Sequence, residues 1–166
     1  MIRRRLLAVA AAALFAGAAV PARAQKLVFV VRHAERADGG NGSMGADPPL
    51  SAAGEARASK LAAMLSASGI KAIVATEFKR TQDTAKPLAA ELHLAIERGS
   101  SGDTAALVAK LKREHAGDIV LVVGHSNTLP DIIKGFGGPA IAIGDNDYDN
   151  LFIVVPATGA LTRIKF

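Results

Sequence analysis

Arg32 and His33 follow directly on an aliphatic run at residues 26–31 (KLVFVV). His125 stands one glycine beyond a second run at 118–123 (DIVLVV), and Arg80 closes the stretch TEFKR that follows a third run at 70–75. Arginine offers a planar fork of N–H donors that matches the oxygens of a phosphoryl group, and it stays cationic at any working pH. Histidine is substantially neutral near pH 7 and is a nitrogen nucleophile that can itself be phosphorylated. A charge-assisted hydrogen bond contributes roughly 1.5–3 kcal/mol, so two guanidinium forks and a histidine would hold a phosphoryl dianion firmly. Taken singly, a lone histidine reads as structural and a lone arginine at a helix start as a surface charge. It is their coincidence at the ends of three aliphatic runs that points to a phosphoryl pocket.

Those side chains can meet only if the three runs lie side by side. The run at 26–31 is rich in β-branched residues and reads as a strand buried on both faces. The stretch at 39–49 holds four glycines and two prolines and reads as loop, a flexible one or a lid over the pocket. Ser51 is a good N-cap for a helix through 68, closed by Gly69. Residues 70–75 predict a second strand, with Thr76 capping a helix to 92 that Pro87 would kink or break. A short strand is expected at 94–97. Asp103 then caps a helix to 115 with Leu107, Val108 and Leu111 on one face. The strongest strand signal, at 118–123, leads to a helix near 129–135, and 151–155 with 161–166 predict a closing hairpin around 157–159. Strands alternating with helices give an α/β fold, a three-layer sandwich with a mainly parallel sheet. In such folds ligands bind beyond the carboxyl ends of the strands, where these residues sit.

Composition removes most rival chemistries. The chain has 166 residues, enough for one domain, and no cysteine, which excludes a disulfide scaffold, a thiol nucleophile and Cys-ligated metal sites. Of the net charge of +5, four charges (Arg3, Arg4, Arg5 and Arg23, with no acid) lie in residues 1–24, leaving the rest at +1. A near-neutral body with one Tyr, six Phe and no Trp gives no support for nucleic-acid binding. Residues 1–5 form a basic n-region, 6–20 a run of small and apolar residues, and Pro21-Ala22-Arg23-Ala24 a small-x-small cleavage pattern. The expectation is a signal peptide over 1–24, cleaved after Ala24, and export to a bacterial periplasm, with no membrane attachment afterwards. An uncleaved anchor is the alternative, and Arg3-Arg4-Arg5-Leu6-Leu7 fits a twin-arginine signal as well as an ordinary n-region.

The ordered motifs resemble a family. Arg32-His33-Ala34-Glu35 after a hydrophobic strand resembles the signature of the histidine phosphatase superfamily, with the phosphoglycerate-mutase-like fold. Residues 75–85 (ATEFKRTQDTA) resemble its second block, an Arg followed by Gln-x-Thr-Ala. Residues 122–127 (VVGHSN) resemble its third, and Leu50-Ser51-Ala52-Ala53-Gly54 its helix start. The likeness spans 26–166 in order, making 25–166 a histidine phosphatase domain. It implies that His33 is the nucleophile and forms a phosphohistidine. It further implies that Arg32 and Arg80 bind the phosphoryl oxygens and that His125 completes the pocket. Water then releases phosphate, with no metal or cofactor. The substrate would be a small-molecule phosphomonoester or a phosphoprotein. A non-catalytic phosphate- or phosphoglycan-binding module on the same fold is the alternative, and a phosphomutase is a further one that the missing insertions disfavour.

The chain departs from the pattern in places. Ala34 stands where Gly is usual. The proton donor is not obvious: Asp103 comes first, reading equally as a helix cap, and Glu77 is the runner-up, its plain reading a first-turn helix charge. Arg32-His33-Ala34-Glu35-Arg36 also echoes the acid-phosphatase and phytase branch, which makes Arg36 a further phosphate contact. Yet Ala37-Asp38 and Ser126 differ from that branch, and the chain is too short for its cap domain. The acidic stretch 145–149 (DNDYD) lacks the Gly and Glu of a calcium loop and reads as a turn on the rim of the site. His93 and His115 read as surface residues. Zinc on His33 and His125 would meet repulsion from the flanking arginines.

Overall fold

A computed structural model describes residues 24–39 and 47–166. The expected signal peptide, apart from Ala24, and most of the glycine-rich stretch at 39–45 lie outside the described residues. The elements run β1 (Leu27–Arg32), α1 (Ala52–Leu65), β2 (Ala72–Thr76), α2 (Lys79–Leu92), β3 (Ile96–Gly99), α3 (Thr104–Glu114), β4 (Ile119–Gly124), α4 (Leu129–Gly135), β5 (Asn150–Val155) and β6 (Ala160–Lys165). They build one six-stranded sheet in the order β3-β2-β4-β1-β5-β6. The first four strands are parallel, while β5 runs antiparallel to β1 and β6 antiparallel to β5.

The central strands are aliphatic because both of their faces are covered. Successive side chains on a strand point to opposite faces, so each strand feeds two cores. Val28, Val30, Val74, Val120 and Val122 pack with Leu107, Leu111, Ile132 and Ile133 of α3 and α4. Phe29, Val31, Ile73, Leu121 and Val123 pack with Leu61, Leu65 and Leu88 of α1 and α2. Two helical layers therefore sandwich the sheet, as the alternating pattern predicts. Among the described residues no helix is long and apolar enough to cross a membrane.

The order of strands decides where the chemistry meets. β4 lies between β2 and β1, so the three carboxyl ends that carry Thr76, His125 and Arg32-His33 are adjacent. The β1–β4 ladder closes at the site itself, with the His33 amide donating to the Gly124 carbonyl at 2.9 Å.

Several local expectations are corrected. Helix α1 starts after Ser51, whose hydroxyl accepts from the Gly54 amide, but it ends at Leu65 rather than 68. Thr76 does not cap α2. It is the last residue of β2 and is buried, while α2 begins at Lys79 behind Phe78, which makes no side-chain cap bond. The open N-terminus of α2 is capped from a distant loop instead, Asp47 accepting from the Lys79 amide at 2.9 and 2.8 Å. Helix α2 also runs unbroken through Pro87. The third strand is shifted from 94–97 to Ile96–Gly99, and Glu97 lies within both.

Candidate active site

His33 and His125 face one another at the sheet edge, ring centroids 5.3 Å apart, and both are buried. His33 Nδ1 lies 2.8 Å from the Ala34 carbonyl. A carbonyl only accepts, so Nδ1 carries the proton and Nε2 keeps its lone pair. Burial lowers the His33 pKa to about 3, and the neighbouring His125, Arg32 and Arg80 press in the same direction against the opposing Ala34 bond. Burial, then the Arg80 charge, lowers His125 to about 4. Both imidazoles are neutral at pH 7.

His125 is held from behind by a directed chain of hydrogen bonds. An Arg80 Nη2–H donates to His125 Nδ1 at 3.4 Å. Guanidinium only donates, so His125 Nε2 carries the proton and donates to Thr76 Oγ1 at 2.8 Å. The Thr76 hydroxyl then donates to Thr81 Oγ1 at 2.9 Å, and the Thr81 hydroxyl to the Phe78 carbonyl at 2.7 Å. The failed cap has a better use here: Thr76 spends its hydroxyl inside the protein. The backbone of His125 is tied by Thr128, whose Oγ1 accepts from the His125 amide at 2.9 Å. A Cβ on Gly124 would come within 2.9 Å of that same oxygen and of Leu129, so the approach requires glycine.

The loop that carries His33 is braced by α1 and α2. The Ala34 amide donates to Thr84 Oγ1 at 2.9 Å, and the Thr84 hydroxyl donates to the Arg80 carbonyl at 2.7 Å, linking the two arms of the pocket. The Ser51 amide donates to the Glu35 carbonyl at 2.9 Å, and Arg57 holds the Glu35 carboxylate with Nε and Nη2. A Cβ on Gly54 would sit 2.3 Å from the Glu35 carbonyl oxygen, which explains the glycine of the Leu-Ser-x-x-Gly start.

Three arginines line the pocket with donors unspent. Arg32 Nε, Arg36 Nε, and Arg80 Nε and Nη1 are buried without hydrogen-bond partners. Arg80 Nη1 lies 3.5 Å from Asp47, an ion pair without hydrogen-bond geometry. Arg32 Nη1 donates to the Gly144 and Asp145 carbonyls at 3.1 and 2.7 Å, with its guanidinium carbon 4.0 Å from the centre of the Tyr148 ring. Burial lowers the pKa values of Arg32 and Arg80, and each feels the charge of Arg36. All three remain cationic. Arg36 also pairs with Asp38. Buried polar groups are normally satisfied, so orphaned guanidinium donors around a neutral histidine describe a site shaped for an anion.

The two candidate acids are otherwise engaged. Glu77 accepts from the Ser101 amide at 2.9 Å and from its hydroxyl at 2.6 Å. Burial would raise its pKa, but those hydrogen bonds outweigh it and hold the carboxyl below its usual value. Asp103 accepts from the Ala106 amide at 2.8 Å, as the N-cap of α3.

His93 is exposed at the end of α2, in the left-handed conformation. His115 is no isolated surface residue. Its Nε2 lies 2.9 Å from Glu97 and its Nδ1 3.4 Å from Asp118, a pairing that spacing within one helix could not reveal because Glu97 comes from β3. Stretch 145–149 does form part of the rim, through the Arg32 contacts. Sequence reasoning missed Thr76, Thr81, Thr84, Thr128, Asp47 and Tyr148. Of these Thr76, Thr81 and Thr84 stood inside the quoted stretch 75–85, at fixed offsets from Arg80, without a role assigned in the site.

The sequence pattern of the histidine phosphatase superfamily (branch 1) matches residues 28–100, the part that carries Arg32, His33 and Arg80. Residues 28–100 thus carry the sequence pattern of the histidine phosphatase superfamily. No curated protein matches it. Among solved structures, its fold is similar to that of the protein histidine phosphatase SixA complexed with tungstate (18% identity, TM-score 0.64, covering 83% of this chain and 94% of that one). It is similar also to a mycobacterial glucosyl-3-phosphoglycerate phosphatase with VO3 (16% identity, TM-score 0.63, covering 84% and 97%). A third is the phosphoserine phosphatase of Entamoeba histolytica with 3-phosphoglyceric acid (13% identity, TM-score 0.64, covering 84% and 95%). At these identities the likeness is one of fold. The six-stranded, mostly parallel sheet and these neighbours agree with the α/β, phosphoglycerate-mutase-like expectation.

Proposed function

We propose that this histidine phosphatase hydrolyses phosphomonoesters, or a phosphoprotein, through a phosphohistidine on His33. The observation that carries the reading is the set of unspent buried donors on Arg32, Arg36 and Arg80 around a neutral imidazole. The dianionic phosphoryl group replaces the missing partners of these arginines. Nε2 of His33 attacks phosphorus as the ester P–O bond breaks, and the leaving group departs with its bonding electrons. The charge on the equatorial oxygens is met by Arg32, Arg80 and, at the edge, Arg36. His125, its ring held by Thr76, completes the pocket by accepting from Arg80 Nη2 and so holding that guanidinium in place. Water then attacks the phosphohistidine, the P–N bond breaks, and phosphate and neutral His33 are restored. None of these steps calls for a metal. Two proteins of similar fold were solved with the oxyanions tungstate and VO3, which agrees with an oxyanion site on this fold. Export to a periplasm, on the strength of residues 1–24, remains part of this reading.

The test is hydrolysis of p-nitrophenyl phosphate by the purified protein with EDTA present, beside His33→Ala. Turnover in the parent and none in the variant is expected. Equal turnover in both would overturn the nucleophile, and phosphate binding without turnover would make the protein a binding module.

A further inference from the structure

The two histidines belong to a row of four rings. Tyr148 lies 5.9 Å from His33, His33 5.3 Å from His125, and His125 5.2 Å from Phe78, centroid to centroid. The outer two rings each carry one of the phosphate-binding arginines, Arg32 over Tyr148 at 4.0 Å and Arg80 over Phe78 at 4.2 Å. Both rings are half-buried, with part of each surface left to solvent. In a chain with only one Tyr and six Phe, abundance does not account for an aromatic residue on either flank of the site.

Five carboxylates around this row are already engaged. Glu35 is held by Arg57, Asp38 by Arg36, Asp47 by the α2 N-terminus and Arg80, Glu77 by Ser101, and Asp103 by the α3 N-terminus. Each already accepts hydrogen bonds or an ion pair within the protein, so none stands as a proton donor aimed at a leaving group. That matters most for aliphatic esters, whose alkoxides are about as basic as hydroxide, and much less for phenols, whose pKa is about 10.

We propose that the site takes phosphoryl groups borne on an aromatic ring, with Tyr148 and Phe78 contacting the ring while His33 displaces it. The proposal rests on the phosphatase reading above. In the step, the His33 Nε2–P bond forms, the aryl O–P bond breaks, and the ring oxygen leaves as an aryloxide that takes its proton from water. A small phenolic ester and a phosphorylated ring on a protein offer the same chemistry.

The experiment measures kcat/KM of the full chain on phenyl phosphates of graded leaving-group pKa, on phosphotyrosine in a peptide, on glycerol phosphate and on acetyl phosphate. A positioned acid is worth roughly 100- to 10,000-fold, so aryl esters should exceed glycerol phosphate by at least about 100-fold and fall steeply as the phenol becomes more basic. Tyr148→Leu and Phe78→Leu should lose about three- to tenfold more on phenyl phosphate than on acetyl phosphate, which leaves readily but has no ring. A phosphopeptide preferred over phenyl phosphate would assign the ring to a protein, and the reverse to a small molecule. Glycerol phosphate within tenfold of phenyl phosphate, with His33-dependent turnover, overturns the ring preference and leaves the phosphatase standing. Absence of His33-dependent turnover on every ester overturns both.

Discussion

Replacing Thr76 with valine deletes one hydroxyl and keeps the side chain's shape. The site is almost fully closed, Thr76 being 1% exposed and His125 7%. The hydroxyl accepts from His125 Nε2 at 2.8 Å and donates to Thr81 at 2.9 Å. In Thr76→Val the imidazole N–H is left buried without a partner, at a cost of roughly 1–3 kcal/mol, and Thr81 loses a donor while keeping its own bond to the Phe78 carbonyl. We expect about 2 kcal/mol less stability, read from the urea midpoint with an unchanged slope. The functional consequence is separate. Without Thr76 only the longer Arg80 bond at 3.4 Å holds the ring, so His125 and the Arg80 fork it touches lose their fixed orientation towards the phosphoryl group. Turnover of p-nitrophenyl phosphate should fall about ten- to 100-fold in kcat, the range of an orienting contact, with KM changing less. Thr76→Ser restores the hydroxyl and should recover most of both losses. A folded Thr76→Val protein with kcat within twofold of the parent, or a serine variant no better than the valine one, would refute the positioning role.

Three further outcomes follow from the same geometry. Gly54→Ala places a Cβ 2.3 Å from the Glu35 carbonyl oxygen, backbone against backbone, so α1 or the His33 loop must move. It should destabilise by about 2–3 kcal/mol and depress activity, and a denaturation midpoint equal to the parent's would contradict the packing. His33 and His125, lowered to about 3 and about 4, should show no NMR titration of their ring protons between pH 5 and 8. In the unfolded chain both bind protons near pH 6.5 while the folded forms stay neutral. Stability is therefore constant above that value and falls as the pH drops from about 6.5 towards 3. A midpoint that is flat over that acid range would show the imidazoles to be solvated.

The sequence carried what is local. Aliphatic runs of the right length dictate strands buried on both faces, an N-cap serine dictates where α1 begins, and a reactive residue placed just after a strand is carried to the sheet edge. For that reason Arg32, His33, Arg80 and His125 could be placed at one edge from their spacing alone, before their mutual distances were known. The family motifs add to this because they fix offsets within single segments. What tertiary structure decided is everything that depends on which segments become neighbours. Thr76 reads as a helix cap until β4 brings His125, 49 positions away, within reach of its hydroxyl. Asp47 caps a helix 32 positions downstream, and the rim at 144–145 binds Arg32 from 112 and 113 positions away. His115 reads as surface until β3 supplies Glu97. Propensity acts over a few residues and sets the elements. Hydrogen-bond satisfaction in a buried site acts across the strand order, and that order, β3-β2-β4-β1-β5-β6, exists only once the chain has folded.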